Sequence, residues 1–267
     1  MSHLPVSPVI LRVISIVAPL ALCLASCSAR ADGGGKGATL SAKEKTAGFQ
    51  LLFDGKSTQG WREFGKDKFP EKGWVAKDGL LVHEKNSKDY RAGDIITTEQ
   101  FDNFELKLEV KLTARGNSGV KYLVVEDRTG PTVGKAKSAV SFEFQVLDDE
   151  LHPDAKKGKD GNRTMGSLYD LIPAAKDKVV KPIGEWNELR LVVDGNNVEH
   201  WMNGKKTLSF VRGSPELKAL IAESKFKDVV GFGENAKGHI LLQDHNDEIA
   251  FRNIRIRKLP ARKTAMK

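Results

Sequence analysis

From Phe104 to Leu112 the chain reads Phe-Glu-Leu-Lys-Leu-Glu-Val-Lys-Leu, with an apolar side chain at every second position. A helix, turning about 100° per residue, would scatter those side chains around its axis, whereas a strand sends them all to one face. The segment is therefore a strand with one buried face. Phe142, Phe144 and Val146, interleaved with Glu143 and Gln145, repeat the habit. Leu189 to Val193 and Val198 to Met202 flank Asp194-Gly-Asn-Asn197, and Asn203-Gly204 leads into a further run ending at Phe210. Asn and Gly accept positive φ, so these runs form a meander of hairpins. His239 to Asp244 and Ile249 to Lys258 enclose a turn at His245-Asn-Asp-Glu248, and one helix is expected over Pro215 to Ser224. Short strands with regular turn signals predict an all-β fold, an antiparallel β-sandwich with one short helix and no second domain.

The ends of the chain read differently. Residues 1–26 carry one charged side chain, Arg12, run apolar from Val9 to Leu24, and close on Leu24-Ala-Ser-Cys27. That is the spacing at which a lipoprotein signal is cut before a lipid-modified cysteine, and Pro19 and the absent basic stop-transfer cluster argue against a membrane span. Cys27 is the expected lipidation site, which places the rest of the chain on a bacterial envelope membrane, periplasmic or outer. Residues 27–47, with Gly33-Gly-Gly35 and Gly37, are expected to be a flexible tether, residues 48–259 the folded domain and 260–267 a basic tail. The only other cysteine, Cys23, lies in the signal, so the domain has neither disulfides nor thiol chemistry. The net charge of +8 is spread among alternating acids and bases, unlike the one-sided stripe that nucleic acid requires.

If Phe142, Phe144 and Val146 enter the core, Glu143 and Gln145 project together from the opposite face, about 7 Å apart. A plain solvated strand face would look the same. In the run after Lys237, His239, Leu241, Gln243 and His245 share a face, and their polar members suit a polyol. His239 and His245 are about 20 Å apart along a strand, too far to share a metal. Arg115-Gly-Asn-Ser-Gly119 reads as a hairpin turn feeding the next strand. The long polar loop from Asp148 to Asp170 gathers Asp148, His152, Arg163 and Tyr169. Such loops in compact sandwiches are disordered or functional. It has no calcium-loop register. Trp186 and Trp201 are expected to pack rather than to touch ligand.

Phe49-Gln-Leu-Leu-Phe-Asp-Gly-Lys56 with Gly60-Trp61, Gly116-Asn-Ser-Gly119, Glu143-Phe-Gln-Val-Leu-Asp148, Gly166-Ser-Leu-Tyr-Asp170, Gly184-Glu-Trp-Asn187, Val198 to Gly204, and Leu242-Gln-Asp-His245 with Phe251-Arg-Asn-Ile254 together resemble the 3-keto-disaccharide hydrolase family. The resemblance implies a concanavalin A-like jelly roll and a carbohydrate substrate, a glycoside oxidised at C3. A C3 ketone acidifies the C2 hydrogen, so a base can remove it and the enolate can expel the C1 oxygen. On this reading Glu143 is the base or a metal-binding carboxylate. Lys121 and Arg163 polarise the ketone, and His245 or His152 is the acid. Asn117, Gln145, Gln243, Asp148, Tyr169 and His239 are the substrate-binding candidates, and a divalent metal stays open. The other reading is a non-catalytic carbohydrate-binding module of the envelope, since fold does not fix function. A protein-binding envelope scaffold would need a large exposed apolar patch.

Overall fold

The structure, a computed structural model, describes residues 37–126 and 139–260. The signal, Cys27, the first part of the tether and residues 261–267 lie outside them. Its elements are α1 (Ala42–Thr46), β1 (Gln50–Leu51), β2 (Trp61–Glu63), β3 (Trp74–Lys77), β4 (Leu80–His83), β5 (Ile95–Thr97), β6 (Phe104–Leu112), β7 (Asn117–Val124), β8 (Phe142–Leu147), a 3-10 turn (Pro153–Lys156), β9 (Trp186–Asp194), β10 (Asn197–Met202), β11 (Lys205–Val211), α2 (Pro215–Glu223), β12 (His239–Leu242) and β13 (Ile249–Lys258).

The strands form two antiparallel sheets. The larger runs β11-β10-β9-β6-β13-β4-β3, with β1 paired to β13, and the smaller runs β2-β5-β12-β7-β8. The strands expected from period-two patterning are all present, and the architecture is a jelly-roll sandwich. Leu106, Leu108, Val110 and Leu112 of β6 enter the space between the sheets and meet Phe142, Phe144 and Val146 of β8 in one buried cluster. Each such side chain contributes about 1.5–3 kcal/mol on burial. His200 of β10 is also in this core, fully buried and stacked on the Phe144 ring at 4.3 Å. Burial lowers its pKa to about 3, so the ring is neutral.

The outer face of the larger sheet is held by charge. Glu105 is buried between Arg190 (2.6 Å) and Arg257 (2.5 Å). Trp186 and Trp201 pack there rather than in the core, half-buried beneath the guanidiniums of Arg252 (4.0 Å) and Arg190 (4.8 Å). In β9 and β10 their positions alternate with Asn187 and His200, whose side chains take the buried face.

The tether reading needs correcting over its second half. Ser41 and Glu44 form a reciprocal capping box that starts α1. Glu44 then pairs with Arg255 of β13 at 2.5 Å, and Ala38 donates to the Asp54 carbonyl at 2.8 Å. Polar and ionic contacts dock this glycine-poor stretch on the sandwich, so the folded unit begins at least ten residues before Gly48. α2 matches its expected span, with Ser214 Oγ accepting from Leu217 N and Pro215 in the first turn. No helix among the described residues is long and apolar enough to cross a membrane.

Candidate active site

Glu143 leaves the core on the outer face of the smaller sheet, opposite Lys121 in the β7–β8 register. Gln145 stands opposite Gly119 one row on, and Gln243, just past β12, donates its backbone N–H to the Gly119 carbonyl at 3.0 Å. The two ribbons around Glu143 and His245 therefore meet. They line one hollow of about 350 Å³ together with Asn117, Ser141, Tyr169, Lys225, Phe226 and Val229. That volume is at the lower end of the range for small-molecule sites.

Glu143 is almost fully buried. Its Oε2 is 3.9 Å from Lys121 Nζ, which also donates to the Ala139 carbonyl at 2.8 Å. With its amide nitrogen turned toward the acid, Gln145 donates to Glu143 Oε1 at 3.0 Å and to the Ser118 carbonyl at 3.1 Å. Burial pushes the Glu143 pKa up, against the opposing charges of Lys121 and Lys225. A carboxylate with a raised pKa, still reachable from a hollow, is suited to accept a proton near neutral pH. Gln243 Oε1 is buried without a partner and can accept from a ligand hydroxyl.

The loop behind the hollow is cross-braced. Tyr169 N donates to the Glu143 carbonyl at 3.0 Å, and its hydroxyl donates to Asp154 Oδ2 at 2.7 Å. Burial and Asp154 both raise the Tyr169 pKa far above the usual phenol range, so this hydroxyl is not a proton donor for a leaving group. Arg163 spans Asp154 (3.1 Å) and Asp170 (2.6 Å). It does not line the hollow, and two carboxylates occupy its fork. The ketone-polarising part given to Arg163 is therefore withdrawn.

Three other candidates also lie elsewhere. Asp148 accepts from the backbone N–H groups of Arg115, Glu150 and Leu151, closing the loop start. His239 sits at the far end of β12, within 2.6 Å of the Thr97 carbonyl and 3.1 Å of Gln100. His152 is beside the hollow, its ring edge-on to His245 at 5.9 Å, and Nδ1 accepts from Asp154 N. Lys225 and Phe226 were missed: they follow α2 in a stretch without periodicity, and the helix end alone delivers them to the hollow.

His152, His245 and Asp247 bring one ligand atom each within 4.8 Å of one another. A metal would need a free imidazole lone pair with the other nitrogen donating outward. His152 has the reverse polarity: Nδ1 accepts a backbone N–H, so the neutral ring carries its proton on Nε2. The trio does not fit a metal in this arrangement.

Fold and hollow together define a concanavalin A-like jelly roll with a carboxylate-centred pocket on its smaller sheet. Residues 48–257 match the model of the 3-keto-alpha-glucoside-1,2-lyase-like domain, and the chain belongs to that family. It is 37% identical over 285 aligned positions to the 3-keto-disaccharide hydrolase of Bacteroides thetaiotaomicron, covering 90% of this chain and 98% of that protein. A crystal structure from Parabacteroides distasonis, provisionally assigned as a glycosyl hydrolase, superposes with a TM-score of 0.74 at 33% identity, over 84% of this chain and all of the other. A second structure from that organism, with the same provisional assignment, gives 0.52 at 27% identity, over 74% and 99%.

Proposed function

We propose that this protein cleaves 3-keto-glycosides, the glycosidic bond breaking by elimination after loss of the C2 proton. The observation that carries the reading is the solitary carboxylate: among the described residues lining the hollow, Glu143 is the only acid. Hydrolysis through an oxocarbenium ion needs two carboxyl groups flanking the bond, about 5–5.5 Å apart for retention and more for inversion. Elimination needs one base. The family description and the activity of the Bacteroides relative point to the same substrate class.

In the proposed sequence Glu143 takes the C2 proton and the C2–H electron pair forms the enolate with the C3 carbonyl. The enolate then collapses to a C1=C2 double bond as the C1–O bond breaks. His245, which also lines the hollow, gives the departing oxygen its proton. Water adding across C1=C2 completes hydrolysis, while its absence leaves the enone. Asn117, Gln145 and Gln243 hold sugar hydroxyls, and Lys121 keeps the base ionisable beside its carbonyl anchor.

Glu143→Gln is expected to abolish aglycone release from an aryl 3-keto-α-glucoside with little change in melting temperature. In D2O the wild-type 3-keto-glucose product should carry deuterium at C2. Retained C2 hydrogen, or equal turnover of the unoxidised glucoside, would sink elimination, and saturable binding without turnover would select a carbohydrate-binding module instead.

We also infer envelope anchoring through Cys27, from the Leu24-Ala-Ser-Cys27 spacing. Cys27→Ser should release the protein from the membrane fraction and end incorporation of labelled palmitate. Persistence of the label would refute that site.

A further inference from the structure

We propose that Lys225 is a catalytic residue, the cation that binds the C3 oxygen as it becomes an enolate. The inference rests on the elimination reading and names a group for which that reading has no partner.

Among the described residues, Lys121, Arg163 and Lys225 are cations at or near the hollow, and the first two are committed. Arg163 is held by Asp154 and Asp170. Lys121 donates to the Ala139 carbonyl and faces Glu143, so its charge serves the base. Lys225 is placed differently. Its ammonium lies over the Tyr169 ring, 4.0 Å from the centroid, and 5.1 Å from that of Phe226. Among the described residues no carboxylate comes within ion-pair distance of it. Aromatic faces attract a cation by about 0.5–2 kcal/mol, much less than a carboxylate would in such a site. The ammonium is thus left with unspent affinity for an anion, and it lines the hollow that holds the base.

The backbone keeps it there. Ser224 caps α2, with its backbone N–H returning to the Ile221 carbonyl, and Lys225 N donates to Asp170 Oδ2 at 3.0 Å. Asp170 thereby holds the Arg163 side chain and the Lys225 backbone at once, and the Lys225 ammonium is placed by its packing over the Tyr169 and Phe226 rings. Burial lowers the Lys225 pKa, partly offset by Glu143 and Asp170. Negative charge developing on the sugar oxygen would relieve that desolvation, and a group that gains only as the enolate forms acts on the transition state. Elimination places that charge on O3, so Lys225 and Glu143 would engage adjacent carbons of one ring.

The test separates the site from the reaction. Glucose 3-sulfate, which carries a fixed negative charge at O3, and glucose itself are titrated into wild type, Lys225→Met and Lys225→Arg by calorimetry. Lys225→Met should weaken glucose 3-sulfate at least about tenfold and leave glucose unchanged, with Lys225→Arg recovering most of the loss. With an aryl 3-keto-glucoside, Lys225→Met should lose about a hundredfold in kcat with KM nearly constant. Equal binding of the sulfate by wild type and Lys225→Met overturns the proposal, as does full kcat in that variant. So does a borohydride-stable adduct of 3-keto-glucose on Lys225, which would make the lysine a covalent rather than an electrostatic catalyst. If wild type turns over no 3-keto-glycoside yet binds the sulfate through Lys225, the elimination reading fails and the anion site stands.

Discussion

Gly119 and Glu143 fit each other as a gap fits its filling: a Cβ built on Gly119 would lie 2.3 Å from Glu143 Oε1 and 2.7 Å from its Cδ. The glycine on β7 is the space across which the acid of β8 lies. Its own φ is not in the left-handed region, so the requirement is steric.

Gly119→Ala should therefore displace the carboxylate without straining the backbone. The expected outcome is at least about a tenfold fall in kcat, since small misplacements of reacting groups cost that much or more. The melting temperature should move little. Unaltered kcat would show that the carboxylate need not lie where it does.

Lys121→Met removes a charge that holds the Glu143 pKa down against burial. The pKa of the acid should then rise further, so Glu143 stays protonated, and inactive as a base, to higher pH. The acidic limb of the kcat/KM profile should shift to higher pH. A shift toward lower pH, or none, would remove Lys121 from the electrostatics of the base.

His200 ties stability to pH. Its folded pKa, about 3, lies below the ordinary imidazole value, so below about pH 6.5 the unfolded chain binds a proton that the native core refuses. This group's contribution is complete above about pH 6.5 and is lost as pH falls toward 3, at about 1.4 kcal/mol per pH unit. Urea unfolding at pH 7 and pH 5 should reveal the loss, and His200→Phe should flatten that part of the profile. An unchanged slope in the variant would assign acid lability to other groups.

Asp244 sits between Gln243 and His245 and ties them to the β4 side of the molecule. Its carboxylate accepts from Asn86 Nδ2 (2.8 Å), Gly93 N (2.9 Å) and Asn246 N (2.8 Å), and faces His83 Nε2 at 3.0 Å. Hydrogen bonds from those groups hold its pKa well below the usual carboxylate range, against the opposing effect of burial. Asp244→Ala should cost about 3 kcal/mol in denaturant unfolding. KM for the sugar should also rise, because Gln243 and His245 lose their anchor. Wild-type stability in the variant would show that the knot is dispensable.

Period-two patterning placed the strands because the backbone itself enforces it: in β8 a side chain entering the core forces its neighbours out, so Glu143 and Gln145 had to emerge together. The capping chemistry of Ser214 and Pro215 made α2 legible in the same local way. The Arg163 assignment failed because a guanidinium in an acidic loop looks alike whether it serves a ligand or braces the chain. Distances to Asp154 and Asp170 decide between them. Trp186 and Trp201 pack, as expected, but beneath cations from other strands, a partnership that only the tertiary structure shows.

Local sequence by itself determined where the strands from β6 onward lie, which face their alternating side chains take, and which family the motifs resemble, because each of those signals depends on a few consecutive residues. Only the tertiary structure decided that β12 lies beside β7, so that Gln243 meets Ser118 across 125 residues of chain, and that the turn after α2 delivers Lys225 to the same hollow. Pairing between distant strands is selected by packing of the whole sandwich, and no short window of residues carries that information.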